Sequence, residues 1–488
     1  MSLKVLGKNT VIYAIGIIGM RAASFLLIPV YTRTLSVSDY GLLAILLLSI
    51  QFMLIFINMG MQTSLLRFAK ECEASNRIGD LLGTSSLINV IGGLIVASAL
   101  FTFLISFFRN VLHTHSVDLY VGMACCAALL QSLSMHIMSY YRARGEVFKY
   151  AITGISGAVI LSVISLILLC VFKLGIRGAL YAYIASYTII LLFVSLDVFS
   201  KTGIGISKSL VLKLLQFGLP LIFSMSGELL IGGAGMYLLS YFVGLETVAV
   251  YLLGYKLGSL LGMTILLPFS CAFEPYVFTN LYSPNIRQKV SRGLTYLVLA
   301  IIFMSFCILW GSRILLPVIA PPEYSSAFLV IVLLLPSEAF RGIYYFSAPL
   351  LGAVKKTPII GITMFLGAIL SIILNYTLIP VINFYGAVIA LNVSFSLVGS
   401  TLLVIGMKKF SVPIEWKRMC VLAGLSVSFF LLFVIMSGVN LILFSLVTLL
   451  AILGCIITLF GFGFFYDDEK AAIRTWIYHI RWYKSAVI

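Results

Sequence analysis

The stretch GALYAYIASY (178–187) has a counterpart 208 residues later in the chain, GAVIALNVSF (386–395). The shared small residues are Gly178, Ala179, Ala182 and Ser186 in the first copy and Gly386, Ala387, Ala390 and Ser394 in the second. Just upstream, KYAITGI (149–155) corresponds to KTPIIGI (356–362), and LSVSDYGLL (35–43) occupies the place of VGLETVAVY (243–251) at the level of pattern. Small residues recur by chance in membrane helices, but correspondences in one order at nearly one offset favour a duplicated chain.

The composition places most of this chain in a membrane. Hydrophobic residues make up 61% of its 488 residues and charged residues only 10%, whereas soluble domains carry about 25% charged residues. The first apolar run, 9–31, is too long for the hydrophobic region of a signal peptide and lacks a small-residue cleavage site, which predicts a retained first span. The eight cysteines show no pairing pattern, and His113 and His115 lack a third ligand, so no disulfide framework or metal site is expected.

A bilayer core of about 30 Å needs about 20 apolar residues per helix, and the chain contains fourteen such runs. The predicted spans are 9–31, 41–65, 81–107, 119–141, 151–172, 178–195, 214–242, 248–272, 293–312, 325–350, 358–380, 384–407, 419–437 and 440–466. The duplication makes spans 7–12 a second copy of spans 1–6, in the same membrane orientation because six is even. The predicted fold is an all-α integral membrane protein of two six-helix bundles, related by an axis along the membrane normal, plus two extra helices.

This arrangement divides the chain into four parts: an N-terminal lobe (1–200), a C-terminal lobe (201–410), spans 13 and 14 (411–466), and a tail (467–488). The tail contains AAIRTWIYHIRWYKS (471–485), with aromatic and aliphatic residues on one helical face and three basic residues beside them. That pattern predicts a helix lying in the membrane interface.

The basic residues predict the orientation of the spans. Of the 32 lysines and arginines, 24 fall on the side of the N-terminus, 5 on the opposite side, and 3 within spans. Cytoplasmic loops of membrane proteins are enriched in Lys and Arg, so both termini are expected in the cytoplasm. The net charge of +16 is then a consequence of topology, and nucleic acid is not an expected partner.

Five charged residues lie within the spans, where an ionisable group costs about 2.5–3.5 kcal/mol and tends to mark a transport pathway. Arg21 in span 1 and Glu228 in span 7 are 207 residues apart and therefore occupy nearly equivalent positions in the two lobes. Glu338 and Arg341 form an i, i+3 pair in span 10, and Lys256 lies in span 8. These residues are either ion pairs that hold helices together or the lining of a hydrated cavity, and a surplus of cations favours an anionic cargo.

A polar stripe accompanies these charges in span 2. Gln51, Asn58 and Gln62 are spaced seven and four residues apart, which places them on one face of a continuous helix. Their amides are candidates for hydrogen bonds to a polar ligand.

The N-terminal region carries a family resemblance. The stretches KNTVIYAIGIIGMRAASFLLIPVYTRTLSVSDYGLLAI (8–45) and NMGMQTSLLRFAKE (58–71) resemble the polysaccharide-transporter branch of the MOP exporter superfamily, in particular Wzx-type O-antigen flippases. The matching residues are Asn9, Arg33, Leu35, Asp39, Tyr40, Gly41, Gly60, Arg67 and Phe68. The loop motifs are confined to the first 75 residues; span number and duplication extend the likeness over the rest.

The resemblance implies a monomeric flippase of the bacterial inner membrane, part of lipopolysaccharide biosynthesis, that works by alternating access. Its cargo is an undecaprenyl-diphosphate-linked oligosaccharide moved from the cytoplasmic to the outer leaflet, and a polysaccharide polymerase is an implied partner. Arginine suits a diphosphate because it donates bidentate hydrogen bonds. Arg21, Arg341 and Lys256 are therefore the expected diphosphate contacts, and spans 13 and 14 are expected to flank the polyprenyl tail, as in fourteen-helix relatives.

Two other functions stay open from the sequence. One is a drug or organic-ion exporter of the same superfamily, although spans 1–6 contain no Asp or Glu for cation coupling. The other is a membrane glycan polymerase or glycosyltransferase, which needs clustered acid–base residues, whereas the loops opposite the termini carry only isolated carboxylates. No phosphate-binding loop for ATP occurs and no cofactor is expected. The membrane potential, or a proton or cation gradient acting through Glu228 or Glu338, is the expected driving force.

Overall fold

The computed structural model describes residues 19, 25–112, 117–281, 283, 285–354, 356–436, 439–461 and 463–467. Within these ranges the regular structure is helical. The α-helices, numbered in chain order, are α1 Ile28–Thr34, α2 Val37–Asn58, α3 Met61–Ala74, α4 Ile78–Leu112, α5 Val117–Ala143, α6 Val147–Leu166, α7 Gly175–Thr202, α8 Lys208–Phe242, α9 Leu245–Gly258, α10 Leu267–Thr279, α11 Ile286–Ile319, α12 Ala327–Ala353, α13 Thr357–Ile382, α14 Phe384–Phe410, α15 Trp416–Ile435 and α16 Leu441–Gly461. π-helical turns follow α6 (Ile167–Val171) and α9 (Gly262–Leu266), and a 3₁₀ turn (Pro322–Tyr324) precedes α12.

Helices α2–α16 match predicted spans 2–14 in order. Twelve segments in the described part of the chain are long and apolar enough to cross a membrane, and one bent pair, Lys208–Pro220 with Met225–Phe242, makes a thirteenth. The fold is therefore that of a multi-pass, all-α membrane protein. Most of span 1 (9–31) and nearly all of the tail (467–488) lie outside the described residues, so the number fourteen and the interfacial helix stay predictions.

The duplicated stretches occupy equivalent places in the two halves. Each begins within the first four residues of a helix, α7 or α14, and the small residues of both copies are buried. A methyl group on Gly178 would lie 3.2 Å from the carbonyl oxygen of Leu168, and one on Gly386 would lie 2.6 Å from the carbonyl carbon of Leu378. In each half the glycine thus lets a helix pack closely on the end of the preceding one, which explains why the same pattern occurs twice.

The second span of each half is broken at a corresponding position. In the first half α2 ends before Met59 and Gly60, both in the left-handed backbone region with φ of 49° and 71°. In the second half α9 gives way to a π-helical turn, and α10 begins at Leu267 with Pro268 in its first turn. Pro268 is 208 residues after Gly60, so the break belongs to the repeat.

The two halves meet along a seam formed by α2, α3 and α4 on one side and α8 and α9 on the other. At the end of the seam near residues 35 and 244, a methyl on Gly41 would lie 1.9 Å from the carbonyl oxygen of Leu245. Close by, Thr32 Oγ1 donates to the carbonyl oxygen of Ile319 at 2.6 Å. This end of the seam is closed by backbone and side-chain contacts.

Helix α8 bridges the two halves because it is bent by 45° near Pro220. Proline lacks an N–H and its ring disfavours a straight helix, which accounts for the bend. The segment before the bend packs on the first half: Leu210 and Leu214 are buried with residues of α3, α4, α5 and α7, and Ser64 Oγ donates to the carbonyl oxygen of Leu214 at 3.2 Å. The segment after the bend carries Glu228 into the second half.

Helices α15 and α16 are fastened to α11 at both ends. At one end Glu415 accepts hydrogen bonds from Thr295 at 2.6 Å and from Arg418 at 3.2 Å. At the other end Arg313 donates to the carbonyl oxygen of Val439 at 2.9 Å. These contacts attach the two extra helices to the second half of the molecule.

Candidate functional site

A charged cluster lies within the second half, where α8, α9 and α12 converge. Its centre is the predicted pair on α12: Arg341 Nη2 donates to Glu338 Oε2 at 2.7 Å, and the side chains are 14% and 2% exposed, respectively. The carboxylate is thus buried and the guanidinium nearly so. Breaking a buried pair of this kind by removing one partner costs far more than losing a surface ion pair.

Gly262 makes room for this pair and was not singled out by the sequence. It begins the π-helical turn after α9, and a methyl group there would lie 2.2 Å from Arg341 Nη2 and 3.1 Å from Glu338 Oε2. Only glycine lets the guanidinium lie against the backbone at this place. Single π-helical turns are frequent at functional sites, but no sequence signal distinguishes Gly262 from the other glycines.

Two tyrosines connect the pair to neighbouring helices. The Tyr345 hydroxyl, also on α12, donates to Glu228 Oε1 at 3.0 Å. Tyr255 of α9 lies near Arg341, Glu338 and Glu228. The sequence named the carboxylates but missed both tyrosines, because aromatic residues in apolar helices are usual.

Lys256 follows Tyr255 in sequence but has different neighbours. Its Nζ lies 3.5 Å from the hydroxyl oxygen of Tyr40 and 5.7 Å from the centre of that ring. Tyr40 itself is fully buried, between Tyr31 and Tyr324. Lys256 is partly exposed and lies on the seam between α9 and α2, where the Tyr40 ring provides a cation–π contact.

The predicted polar stripe is corrected by the structure. Gln51 and Asn58 belong to α2, but Gln62 belongs to α3, since the chain turns at Met59 and Gly60. The expectation of one helical face was wrong because it assumed an unbroken helix over 41–65. Gln51 is exposed, while Asn58 Oδ1 accepts from the backbone N–H of Gln62 at 3.3 Å and so caps the start of α3.

Asn58 nevertheless keeps one polar atom for other use. Its Nδ2 is buried and has no hydrogen-bond partner among the described residues.

Arg21, the first predicted diphosphate contact, lies outside the described residues. The described part of the charged cluster therefore contains one guanidinium and two carboxylates. The surplus of positive charge that the sequence predicts depends on Arg21 and on Lys256. Of these, Lys256 lies elsewhere on the seam.

Comparison with known proteins decides the family. Residues 6–280 match the family model described as polysaccharide biosynthesis protein. The chain belongs to this polysaccharide biosynthesis family. The match covers the first half from residue 6 onward and continues through α10, so it includes both broken spans and Gly262. No curated protein sequence matches the chain.

The structure of this family member is similar to solved structures of membrane transporters. An inward-facing multidrug-resistance MATE transporter of the MOP superfamily aligns with a TM-score of 0.61 at 15% identity, over 84% of this chain and 95% of that chain. An outward-facing MATE transporter aligns with a TM-score of 0.60 at 14% identity, over 83% and 96%. A MOP transporter from Pyrococcus furiosus, described as having a binding pocket of reversed polarity that suggests a different function, gives 0.60 at 14% identity, over 83% and 96%. The family member thus has a MATE-like fold.

Proposed function

We propose that the protein is a flippase that carries an undecaprenyl-diphosphate-linked oligosaccharide from the cytoplasmic to the outer leaflet of the bacterial inner membrane. The observation that carries this proposal is the combination of a polysaccharide-biosynthesis sequence match with a MATE-like transporter fold. A transporter on a polysaccharide pathway has to move an intermediate that cannot cross the membrane unaided, and a lipid-linked oligosaccharide is such an intermediate.

The cargo explains why a two-lobed membrane fold is suitable. Each sugar hydroxyl costs several kcal/mol when it is stripped of water in hydrocarbon, so the oligosaccharide needs a hydrated path between the lobes. The polyprenyl tail is apolar and stays in lipid. Rocking of the two halves about their seam opens that path to one leaflet at a time.

Arg341 is the described residue best suited to contact the diphosphate. In the structure its Nη2 is held by Glu338, while its Nε is buried without a hydrogen-bond partner among the described residues. A diphosphate oxygen that reaches Nε would use a donor that is otherwise unsatisfied. Arg21 and Lys256 complete the proposed anion contacts from the first span and from the seam, and the amides of Gln51, Asn58 and Gln62 are the proposed sugar contacts.

Export of an organic cation is the second candidate, and the described charges favour it. Among the described residues of the cluster, Glu228 and Glu338 outnumber the one guanidinium, that of Arg341. Two carboxylates and two tyrosine rings form a site that attracts cations. This candidate requires that Arg21 contribute nothing to the pathway.

The deciding experiment uses purified protein in proteoliposomes and two cargoes in parallel. One is a fluorescent oligosaccharide on a polyprenyl diphosphate, whose arrival in the outer leaflet is followed by an added glycosidase; the other is a fluorescent organic cation. We expect transport of the first only, and its abolition by Arg21→Ala with normal membrane insertion. Transport of the cation alone, or normal glycan transport by both Arg21→Ala and Arg341→Ala, would overturn the proposal.

The same outcome is expected in cells. Deletion of the gene should lead to accumulation of one lipid-linked oligosaccharide on the cytoplasmic leaflet, and its mass spectrum would identify the sugar unit. Accumulation on the outer leaflet would instead indicate a defect in polymerisation, the alternative in which the protein is an enzyme.

A further inference from the structure

An apolar cavity of about 270 Å³ lies on the seam, apart from the charged cluster. Both halves of the molecule line it: Leu48 and Phe52 of α2 and Leu100 and Phe103 of α4 from the first, and Gly233 of α8 and Ile372 of α13 from the second. It lies at the middle of α2 and α13 and beside the C-terminal parts of α4 and α8. It is therefore within the depth of the bilayer core.

The two hydroxyl groups that line the cavity, those of Ser49 and Tyr237, use their hydrogens within the protein. Ser49 Oγ donates to the carbonyl oxygen of Ile45 at 2.8 Å, so its contact with the Tyr237 hydroxyl, also 2.8 Å, uses the tyrosine as donor. Neither hydroxyl has a hydrogen left to offer a ligand. The rest of the lining is aliphatic or aromatic, so a sugar, a phosphate or an ion would lose its water there without compensation.

Two side chains of the lining are accessible from outside the cavity: Phe103 is 65% exposed and Ile372 is 41% exposed. Both belong to helices long and apolar enough to cross a membrane, and a bilayer surrounds such helices with hydrocarbon at mid-depth. Phospholipid acyl chains are the most abundant molecules at that depth. Glu228, which directly precedes the lining residues Leu229 and Leu230, is bonded to Tyr345 instead, so the charged cluster and the cavity are separate sites on α8.

We propose that the acyl chain of a membrane phospholipid inserts into this cavity from the side and binds between the two halves. An acyl chain matches the lining because it is apolar and buries area on aromatic and leucine side chains. Its binding site requires residues from both halves, so the chain binds the arrangement described here and stabilises it relative to arrangements in which α4 and α8 separate. Bulk lipid thus takes part in setting the equilibrium between open and closed seam.

The test uses the full chain in vesicles that contain a phospholipid with a photoreactive diazirine near the middle of one acyl chain and no glycan substrate. After illumination, adducts are mapped by mass spectrometry. We expect the peptides over 100–107 and 229–238 to carry an excess of label over the lipid-exposed peptides of α6. Ala234→Phe and Leu100→Phe, which fill the cavity from opposite sides, should each lower that excess by roughly tenfold, equal to about 1.4 kcal/mol.

Val163→Phe is the matched control, since Val163 lies on α6 and is 48% exposed; it should leave the labelling unchanged. Two cavity-filling variants are used so that a folding defect in one does not leave the result open. Uniform labelling of all lipid-facing helices, or an excess that persists in both variants, would overturn the proposal. So would displacement of the label by an equimolar polyprenyl diphosphate, because the occupant would then be an isoprenoid chain. The readout involves no transport, so it stands or fails independently of the proposed flippase activity.

Discussion

Gly60 and Gly218 bring the backbones of the two halves into direct contact. A methyl group on Gly60 would lie 2.4 Å from the carbonyl oxygen of Gly218, and one on Gly218 would lie 2.3 Å from the carbonyl oxygen of Met59. The contact joins the break between α2 and α3 to the segment of α8 that precedes its bend. Because no side chains lie between the two backbones, the contact leaves no room for an added methyl group.

Gly218→Ala should therefore destabilise the protein. The added methyl meets backbone, which cannot move aside as a side chain can, so the cost should be about 1–3 kcal/mol, as for other overpacked sites. The measurement is the midpoint of thermal unfolding in detergent. Gly424→Ala in α15 is the control, because a methyl there has open space; a loss of stability as large as that of Gly218→Ala would contradict the packing argument.

The ion pair of Glu338 and Arg341 gives a second prediction. Arg341→Met alone should lower the free energy of unfolding by about 3–5 kcal/mol, because it removes the guanidinium that pairs with the buried Glu338 carboxylate. The double variant Glu338→Gln, Arg341→Met should recover most of that stability but no glycan transport, if Arg341 contacts the diphosphate. Recovery of both by the double variant would indicate that the pair only holds α12 in shape.

Much of the fold was predictable because the membrane fixes the length of an apolar helix. The described spans keep the predicted order, and several of them, such as Gly175–Thr202 for the predicted 178–195, extend beyond the predicted bounds. Gly178 and Gly386, which the repeat places at equivalent positions, are both buried. By contrast, the break at Met59 had no sequence signal, since methionine rarely adopts a positive φ. The predicted total of fourteen spans was not tested, because span 1 lies largely outside the described residues.

The site was less predictable than the fold because it depends on how each helix is rotated. The sequence paired Glu338 with Arg341 correctly, since residues three apart on a helix are neighbours. It had no means of showing that Tyr255 faces this pair while Lys256 faces Tyr40. Those contacts are set by packing between residues far apart in the chain.

Gly262→Ala should displace the Arg341 guanidinium, because the methyl would lie 2.2 Å from Nη2. A flexible side chain can move away, so we expect a small loss of stability but a large loss of glycan transport. Transport is measured as initial rate in proteoliposomes, with Gly311→Ala as control, since a methyl at that position has no close neighbour. Wild-type transport by Gly262→Ala would mean that the position of Arg341 is not critical.

Lys256 allows substrate binding to be separated from a structural role. Lys256→Met keeps the apolar stem and removes the charge. If the ammonium contacts the diphosphate, the apparent KM for the lipid-linked cargo should rise by roughly tenfold, about 1.4 kcal/mol, with little change in the unfolding midpoint. Tyr40→Phe keeps the ring under the lysine and should have a smaller effect. A lowered unfolding midpoint with an unchanged KM would assign Lys256 to the seam alone.

Glu228 gives a prediction about the driving force. Two negative charges that move outward across a membrane negative inside gain about 4–5 kcal/mol per 100 mV, and a proton carried on Glu228 would add a dependence on the pH gradient. Glu228→Gln keeps an oxygen to accept from Tyr345, so it should fold as the parent does. We expect its transport to respond to the membrane potential but no longer to the pH gradient, when ionophores collapse each gradient separately in proteoliposomes.

Tyr345→Phe, which leaves the carboxylate in place, should retain both responses. A full response of Glu228→Gln to the pH gradient would exclude this carboxylate as the coupling site, and Glu338, which pairs with Arg341, would be tested next.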